Sequence, residues 1–331
     1  MYAFPKEDNP SLLSWNISYI CNLRCIHCYT DSGKSTEPPD ARGTFRSIID
    51  ELKQSGIRTL CIGGGEPMIF PGIADVVKYA LGIGMNVFLC TNGYKPPPEV
   101  VETLPQDPHF AISVGLDGGT PETCEKVRGK REVFFETLNS VLRFSLKGIY
   151  TIVDFTANKI NWRELPQVVA NVSAVGARQV NLKRFIPIGR GAVYKNELSI
   201  SKREQGILME KVLGLRQNGI IVEAQDPLMN TMGIEPSIER GMMTGRCWLG
   251  MTPQLALLPS PTMPIPLGNL FDKGIAHIWN NAELIDRLSK PECLEGKCNE
   301  CEYARVCGGH REYAYAASGS PFSQDPLCWR I

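Results

Sequence analysis

The sequence has no excess of charge of either sign: 35 lysines and arginines balance 35 aspartates and glutamates. That balance offers no global field to attract nucleic acid or an anionic membrane surface. No stretch approaches the roughly 18 uninterrupted apolar residues of a membrane span. The start, Met-Tyr-Ala-Phe-Pro-Lys-Glu-Asp, has neither the basic opening nor the apolar run of a secretory signal, so a cytoplasmic protein is expected. Internal repeats and low-complexity tracts are missing too. A disulfide framework is not expected from the 12 cysteines. Such frameworks belong to short secreted chains that cannot build a core, whereas this chain has 331 residues and a 43% hydrophobic fraction.

Seven of the cysteines instead fall into two groups at opposite ends of the chain, a pattern that favours metal. Cys21, Cys25 and Cys28 form a C-x3-C-x2-C run. Three thiolates on one loop can hold three irons of a 4Fe-4S cluster and leave the fourth open to a substrate or second cofactor. The alternative is a structural zinc site that adds His27. It would require the adjacent His27 and Cys28 to reach one metal.

Short β-rich runs alternate with amphipathic stretches from about residue 14 to 185. Strands are predicted at Ser14–Tyr19, Thr59–Ile62, Asn86–Leu89, Phe110–Val114, Tyr150–Phe155 and Gln179–Phe185. Helices are predicted near Thr44–Ser55, Ile73–Leu81, Glu99–Leu104, Glu132–Leu146, Trp162–Val175 and Lys202–Gln217. Six β-then-α units imply a parallel sheet, too few for an eight-stranded barrel, so the expected fold is α/β: a partial (β/α)6 TIM-like barrel. A further strand is possible at Ile220–Glu223. The alternation stops after about residue 235, and the division expected is a barrel over 1–235 and a small C-terminal iron–sulfur domain over 236–331. In such folds the site lies at the C-terminal strand ends. Those ends carry the cysteine loop, Gly63-Gly64-Gly65-Glu66-Pro67, Thr91-Asn92-Gly93 and Ser113 with Asp117-Gly118. Glycines 63–65 would let backbone approach a ligand closely, and Tyr29 could support a purine ring.

In these motifs and their order the sequence resembles the radical S-adenosylmethionine (SAM) enzymes over about residues 12–190. The carrying residues are Cys21, Cys25 and Cys28, Gly64–Pro67, Thr91–Gly93 and Ser113–Gly118. The resemblance implies that the three cysteines hold a 4Fe-4S cluster whose open iron is chelated by SAM. It implies that Gly64, Gly65 and Glu66 line the methionine amine, with Tyr29, Asn92, Ser113 and Asn158 as further cofactor contacts. It also implies the chemistry: one electron cleaves the sulfonium, and a 5′-deoxyadenosyl radical takes a hydrogen atom from the substrate. A low-potential donor of flavodoxin or ferredoxin type would supply the electron. No catalytic side chain is assigned.

The tail carries Cys298-x2-Cys301-x5-Cys307 and then Cys328. By spacing alone it could bind a cluster or zinc. It resembles the SPASM/twitch extension of the same superfamily, which implies an auxiliary 4Fe-4S cluster on Cys298, Cys301, Cys307 and Cys328. The full extension holds a second auxiliary cluster. Here Cys247 is present, but Ser260 and His310 stand where that cluster has cysteines, so one auxiliary cluster is expected. His310 could be an iron ligand, a substrate contact or an ordinary hydrogen-bonded histidine. Cys293 could be a free thiol or a spare ligand. Cys61 and Cys90 read as small buried apolar groups, and Cys124 has no evident partner.

Three segments of the tail, Cys307–Arg311, Tyr313–Ala317 and Asp325–Cys328, most resemble enzymes of the alternative haem and haem d1 pathways. These act on propionate or acetate side chains of iron tetrapyrroles. A carboxylate-bearing substrate would need cations, for which Arg128, Lys183, Arg184 and Arg190 are candidates. The rival substrate is a ribosomal peptide. Maturases of that kind often begin with a leader-binding domain, and only about 13 residues precede the first predicted strand here. A non-catalytic iron–sulfur electron carrier is a further alternative, one that leaves the open iron and Gly64–Pro67 unexplained.

Overall fold

A computed structural model describes residues 4–33, 44–215, 219–241 and 243–330. Seven strands follow one another as parallel neighbours: β1 (Leu12–Ser18), β2 (Thr59–Gly64), β3 (Asn86–Thr91), β4 (Phe110–Gly115), β5 (Tyr150–Ala157), β6 (Gln179–Arg184) and β7 (Ile221–Gln225). The six predicted strands are all present, displaced by a residue or two at their ends, and the possible seventh is a full member. The predicted helix Lys202–Gln217 is observed as Lys202–Leu215, its last two positions lying outside the described residues.

Period-two alternation builds the barrel wall. Leu60 and Ile62, Val87 and Leu89, and Val180 and Leu182 are buried in the apolar core. Alternating with them, Cys61, Phe88, Cys90, Asn181 and Lys183 turn to the opposite face and line a cavity. Helices cover the outside with apolar stripes. Helix Phe45–Gln54, capped by Thr44 through Ser47 N–H at 3.3 Å, buries Ile48, Ile49 and Leu52. Each of these side chains contributes about 1.5–3 kcal/mol of burial.

After residue 235 the chain returns to the same sheet. Strand β8 (Trp248–Met251) pairs parallel with β1, from Leu12↔Trp248 to Trp15↔Met251. Strands β9 (Ala256–Leu258) and β10 (Gly268–Asn269) add an antiparallel edge. The sheet therefore runs β10-β9-β8-β1-β2-β3-β4-β5-β6-β7 and remains open. These last strands are four, three and two residues long, too short to leave a periodic signal.

Candidate active site at the barrel rim

The loop after β1 brings Cys21, Cys25 and Cys28 to one wall of a cavity of about 1340 Å³. The loop is held from several sides. Gly65 N–H donates to Ser18 O at 2.7 Å and Glu66 N–H to Ile20 O at 2.8 Å. A Cβ on Gly65 would lie 2.0 Å from Ile20 O, and one on Gly64, whose φ is +109°, 2.4 Å from Ser18 O. The two glycines do line the cavity, but the side chains they lack would collide with the cysteine loop. From the far side Arg190 donates to Cys25 O at 2.9 Å and to Ser32 O, and pairs with Asp31 at 2.8 Å.

The Glu66 side chain works as a clamp on its own neighbours. It is 2% exposed, and its carboxylate accepts from Met68 N–H at 2.9 Å, Thr91 Oγ1 at 2.7 Å and Asn92 N–H at 2.7 Å. Burial raises its pKa, opposed by those hydrogen bonds. The clamp positions Asn92, whose Nδ2 donates to Asn22 Oδ1 at 2.8 Å and lies 3.7 Å from Cys21 Sγ. Asn158 is likewise turned to local work. Fully buried, it donates to Thr156 O at 3.2 Å and accepts from Ile160 N–H at 3.0 Å, so it shapes its own loop rather than the cavity wall.

Ser113 and Tyr29 do face the cavity. Tyr29 OH donates to Asn16 Oδ1 at 2.9 Å, which fixes its ring beside Cys28. Ser113 Oγ is buried with no hydrogen-bond partner. A buried hydroxyl without a partner carries a cost that a polar ligand removes.

Asp117, Arg128 and His27, read separately in the sequence, come together as one buried ion group. Asp117, 1% exposed, accepts from Arg128 Nε at 2.8 Å and Nη2 at 2.6 Å and from Thr156 N–H at 2.8 Å. His27 Nε2 lies 3.2 Å from the same carboxylate. Burial works to raise the Asp117 pKa, but Arg128 and His27 outweigh it and hold it well below the carboxylate range. Burial pushes the Cys25 thiol up to about 12, with Arg128 pulling the other way. A cationic guanidinium near the Cys25 thiol is suited to a cluster whose ligands bind as thiolates.

Deeper in the cavity Lys183 Nζ pairs with Asp154 Oδ2 at 2.6 Å, next to the Cys61 and Cys90 thiols. Both thiols line the cavity, so they are not the core groups expected from sequence. Cys124 is fully buried, its Sγ 3.7 Å from Gly118 O. At another part of the wall are His310 and Glu312.

The four tail cysteines gather elsewhere. Cys307 and Cys328 pack with Leu228, Tyr303 and Trp329, and Cys328 lies within electrostatic reach of Cys298 and Cys301. Cys298 Sγ accepts from Asp325 N–H at 3.4 Å, and Cys307 Sγ from Gly309 N–H at 3.4 Å. Among the described residues no His, Cys, Asp or Glu group converges on a single-ion site. Cys293 is in a different apolar cluster with Met263, Leu288 and Phe322. Cys247, at the foot of β8, is 6% exposed, and burial pushes its thiol up to about 12. Ser260 is fully buried with Oγ unpartnered.

Residues 15–170 match the Radical SAM superfamily model. An AdoMet-dependent heme synthase of Methanosarcina barkeri is 29% identical over 96% of both chains. A mycofactocin maturase, MftC, of Mycolicibacterium smegmatis is 27% identical over 97% of this chain and 83% of its own. The fold superposes on Streptococcus suis SuiB bound to S-adenosylmethionine with a TM-score of 0.79 and 15% identity, covering 97% of this chain and 78% of that one. The cysteine loop, the glycine-bearing end of β2 and the unpartnered Ser113 hydroxyl fit a 4Fe-4S cluster with S-adenosylmethionine beside it, and the chain is an enzyme with a radical SAM domain over residues 15–170.

Proposed function

We propose that this enzyme modifies carboxylate-bearing side chains of an iron tetrapyrrole, by decarboxylation or side-chain removal, as a step toward haem or haem d1. When bound, the cluster and S-adenosylmethionine supply a carbon-centred radical that takes hydrogen from the substrate. The chain's own contribution is to hold the substrate's carboxylate within reach.

Lys183 carries this reading. Of the four cations read from the sequence, three are engaged elsewhere. Arg128 is locked to Asp117, Arg190 to the cysteine loop, and Arg184 to Asp226 and Asp325, each contact at 2.8 Å. Lys183 spends one of its three N–H donors, on Asp154, and faces the cavity. Its charge is firmly held: burial works against it, but Asp154 and the nearby thiols raise its pKa overall. It is thus a cation with donors to spare for a substrate anion.

The same reading gives Cys298, Cys301, Cys307 and Cys328 an auxiliary 4Fe-4S cluster that takes up the electron left on the substrate. It divides the chain into a radical-generating part, 1–235, and an auxiliary part, 236–331. The low-potential electron comes from a flavodoxin- or ferredoxin-type protein.

The test is anaerobic reconstitution with S-adenosylmethionine and a panel of iron tetrapyrroles, read by mass spectrometry. Tetrapyrrole-stimulated 5′-deoxyadenosine with loss of carboxyl groups is the expected result. No binding and no stimulation by any of them would overturn the reading and favour the peptide-maturase alternative, which the likeness to the mycofactocin maturase keeps in view. Iron analysis should return about eight irons per chain, from two 4Fe-4S clusters.

A further inference from the structure

His310 begins helix Arg311–Ser318, and its imidazole is anchored from one side. Nδ1 lies 3.1 Å from Glu312 Oε2, while the other Glu312 oxygen accepts the Thr244 hydroxyl. Glu312 is 3% exposed. The main chain at His310 is also fixed, its N–H donating to Asp325 Oδ2 at 3.0 Å. Tyr313 N–H approaches Nδ1 at 3.4 Å, a longer contact than that of the carboxylate. An ionised carboxylate at this distance places the imidazole proton on Nδ1 and leaves Nε2 with a bare lone pair.

Where the imidazole faces matters as much as how it is held. His310 and Glu312 both line the barrel cavity, and none of Cys298, Cys301, Cys307 and Cys328 does. His310 is therefore three residues along the chain from Cys307 yet opens toward the substrate space. An imidazole whose second nitrogen is tied to a buried carboxylate is the usual form of a metal-ligating histidine. The carboxylate fixes the ring and its tautomer. The cavity's proposed substrate carries an iron with vacant axial positions.

We propose that His310 Nε2 is an axial ligand to the iron of the tetrapyrrole substrate, with Glu312 and Thr244 as the groups that orient it. The inference rests on the tetrapyrrole reading. An axial bond would fix the macrocycle's height and plane in the cavity, while Lys183 selects which carboxylate is presented. The iron would thus work as a handle for positioning, with no change in its own oxidation state.

The experiment titrates a propionate-bearing iron(III) tetrapyrrole, and its metal-free form, into the reconstituted enzyme under anaerobic conditions. Binding is followed by the Soret band and by electron paramagnetic resonance. Wild-type protein should give an imidazole-ligated iron spectrum. His310→Gln should lose that spectrum, bind the iron form about tenfold or more weakly, bind the metal-free form unchanged, and regain the spectrum on adding imidazole. Glu312→Gln keeps the ligand but loses its orienting charge, and should weaken the iron form by about tenfold. Full cluster iron in both variants should accompany these changes. An unchanged iron spectrum in His310→Gln would overturn the axial-ligand proposal and leave the tetrapyrrole reading standing. Loss of cluster iron in that variant would make His310 a cluster ligand and overturn it as well. If neither form of the tetrapyrrole binds wild-type protein, the substrate reading fails, and the proposal with it.

Discussion

Ser113 and Glu66 are both buried polar residues at the rim, and they behave oppositely. Ser113 keeps a hydroxyl without a protein partner, whereas Glu66 uses its carboxylate on three neighbours. Ser113→Ala should therefore weaken S-adenosylmethionine binding by about tenfold, measured by equilibrium dialysis of reconstituted protein, with little loss of stability. Glu66→Ala should do the reverse first. It leaves buried N–H groups unmet, at a cost of about 2–3 kcal/mol in urea unfolding. Glu312 gives a pH signature. Its carboxyl is held at about 2 against an ordinary 4.5. A depressed folded pKa adds stability that is complete above the ordinary value and is lost as pH falls toward the folded one. Urea midpoints should therefore drop below about pH 4.5, and Glu312→Gln should flatten that drop. The motif residues were legible in the sequence because their spacing is local. Whether Glu66 or Asn158 faces ligand or main chain was not, because that depends on neighbours from other strands.

Six of the seven parallel strands were readable as short β-rich runs, with the seventh as a possibility, and β2, β3 and β7 repeat a period-two contrast between buried and partly exposed positions. Core residues such as Val180 and Leu182 alternate with Asn181 and Lys183, and the contrast survives in sequence. β8, β9 and β10 were not readable, since their place comes from pairing with β1 and with each other. The junction of β2 with the cysteine loop makes a sharp test. In Gly65→Ala the new Cβ would meet Ile20 O at 2.0 Å, so the loop must move. About four of the irons should be lost, the tail cluster being retained, as iron analysis would show. Changing Cys21, Cys25 and Cys28 to alanine should give the same iron count and no S-adenosylmethionine cleavage.

Across the whole molecule Arg184 joins three distant segments. It leaves the end of β6, meets Asp226 just after β7, and meets Asp325 in the tail. Gln205 also donates to Asp226 at 2.6 Å, and Asp325 accepts Leu327 N–H at 3.0 Å. The group lies within electrostatic reach of Cys307. Arg184→Ala leaves two carboxylates buried and unpaired, which should cost about 3–5 kcal/mol in urea unfolding. Tail-cluster iron should fall while the triad's iron persists. The outcome separates a structural arginine from the substrate-binding one first expected. Among the described residues no helix is long and apolar enough to cross a membrane.

By itself, the sequence determined the chemistry of the rim. Three thiols seven residues apart at most must share a loop, and a glycine pair at a strand end must sit close to something. It also determined the parallel strand order, because successive β-then-α units have one favourable hand. Only the tertiary structure decided which side chains are free to act. Four cations, two carboxamides and a carboxylate looked alike as candidates. Burial beside residues far along the chain tied most of them down and left Lys183 with donors to spare, in a cavity that the Ser113 hydroxyl and the His310 imidazole also line. Pairing between remote residues has no signature in local spacing, and that pairing separates the residues that hold the fold from those that meet a substrate.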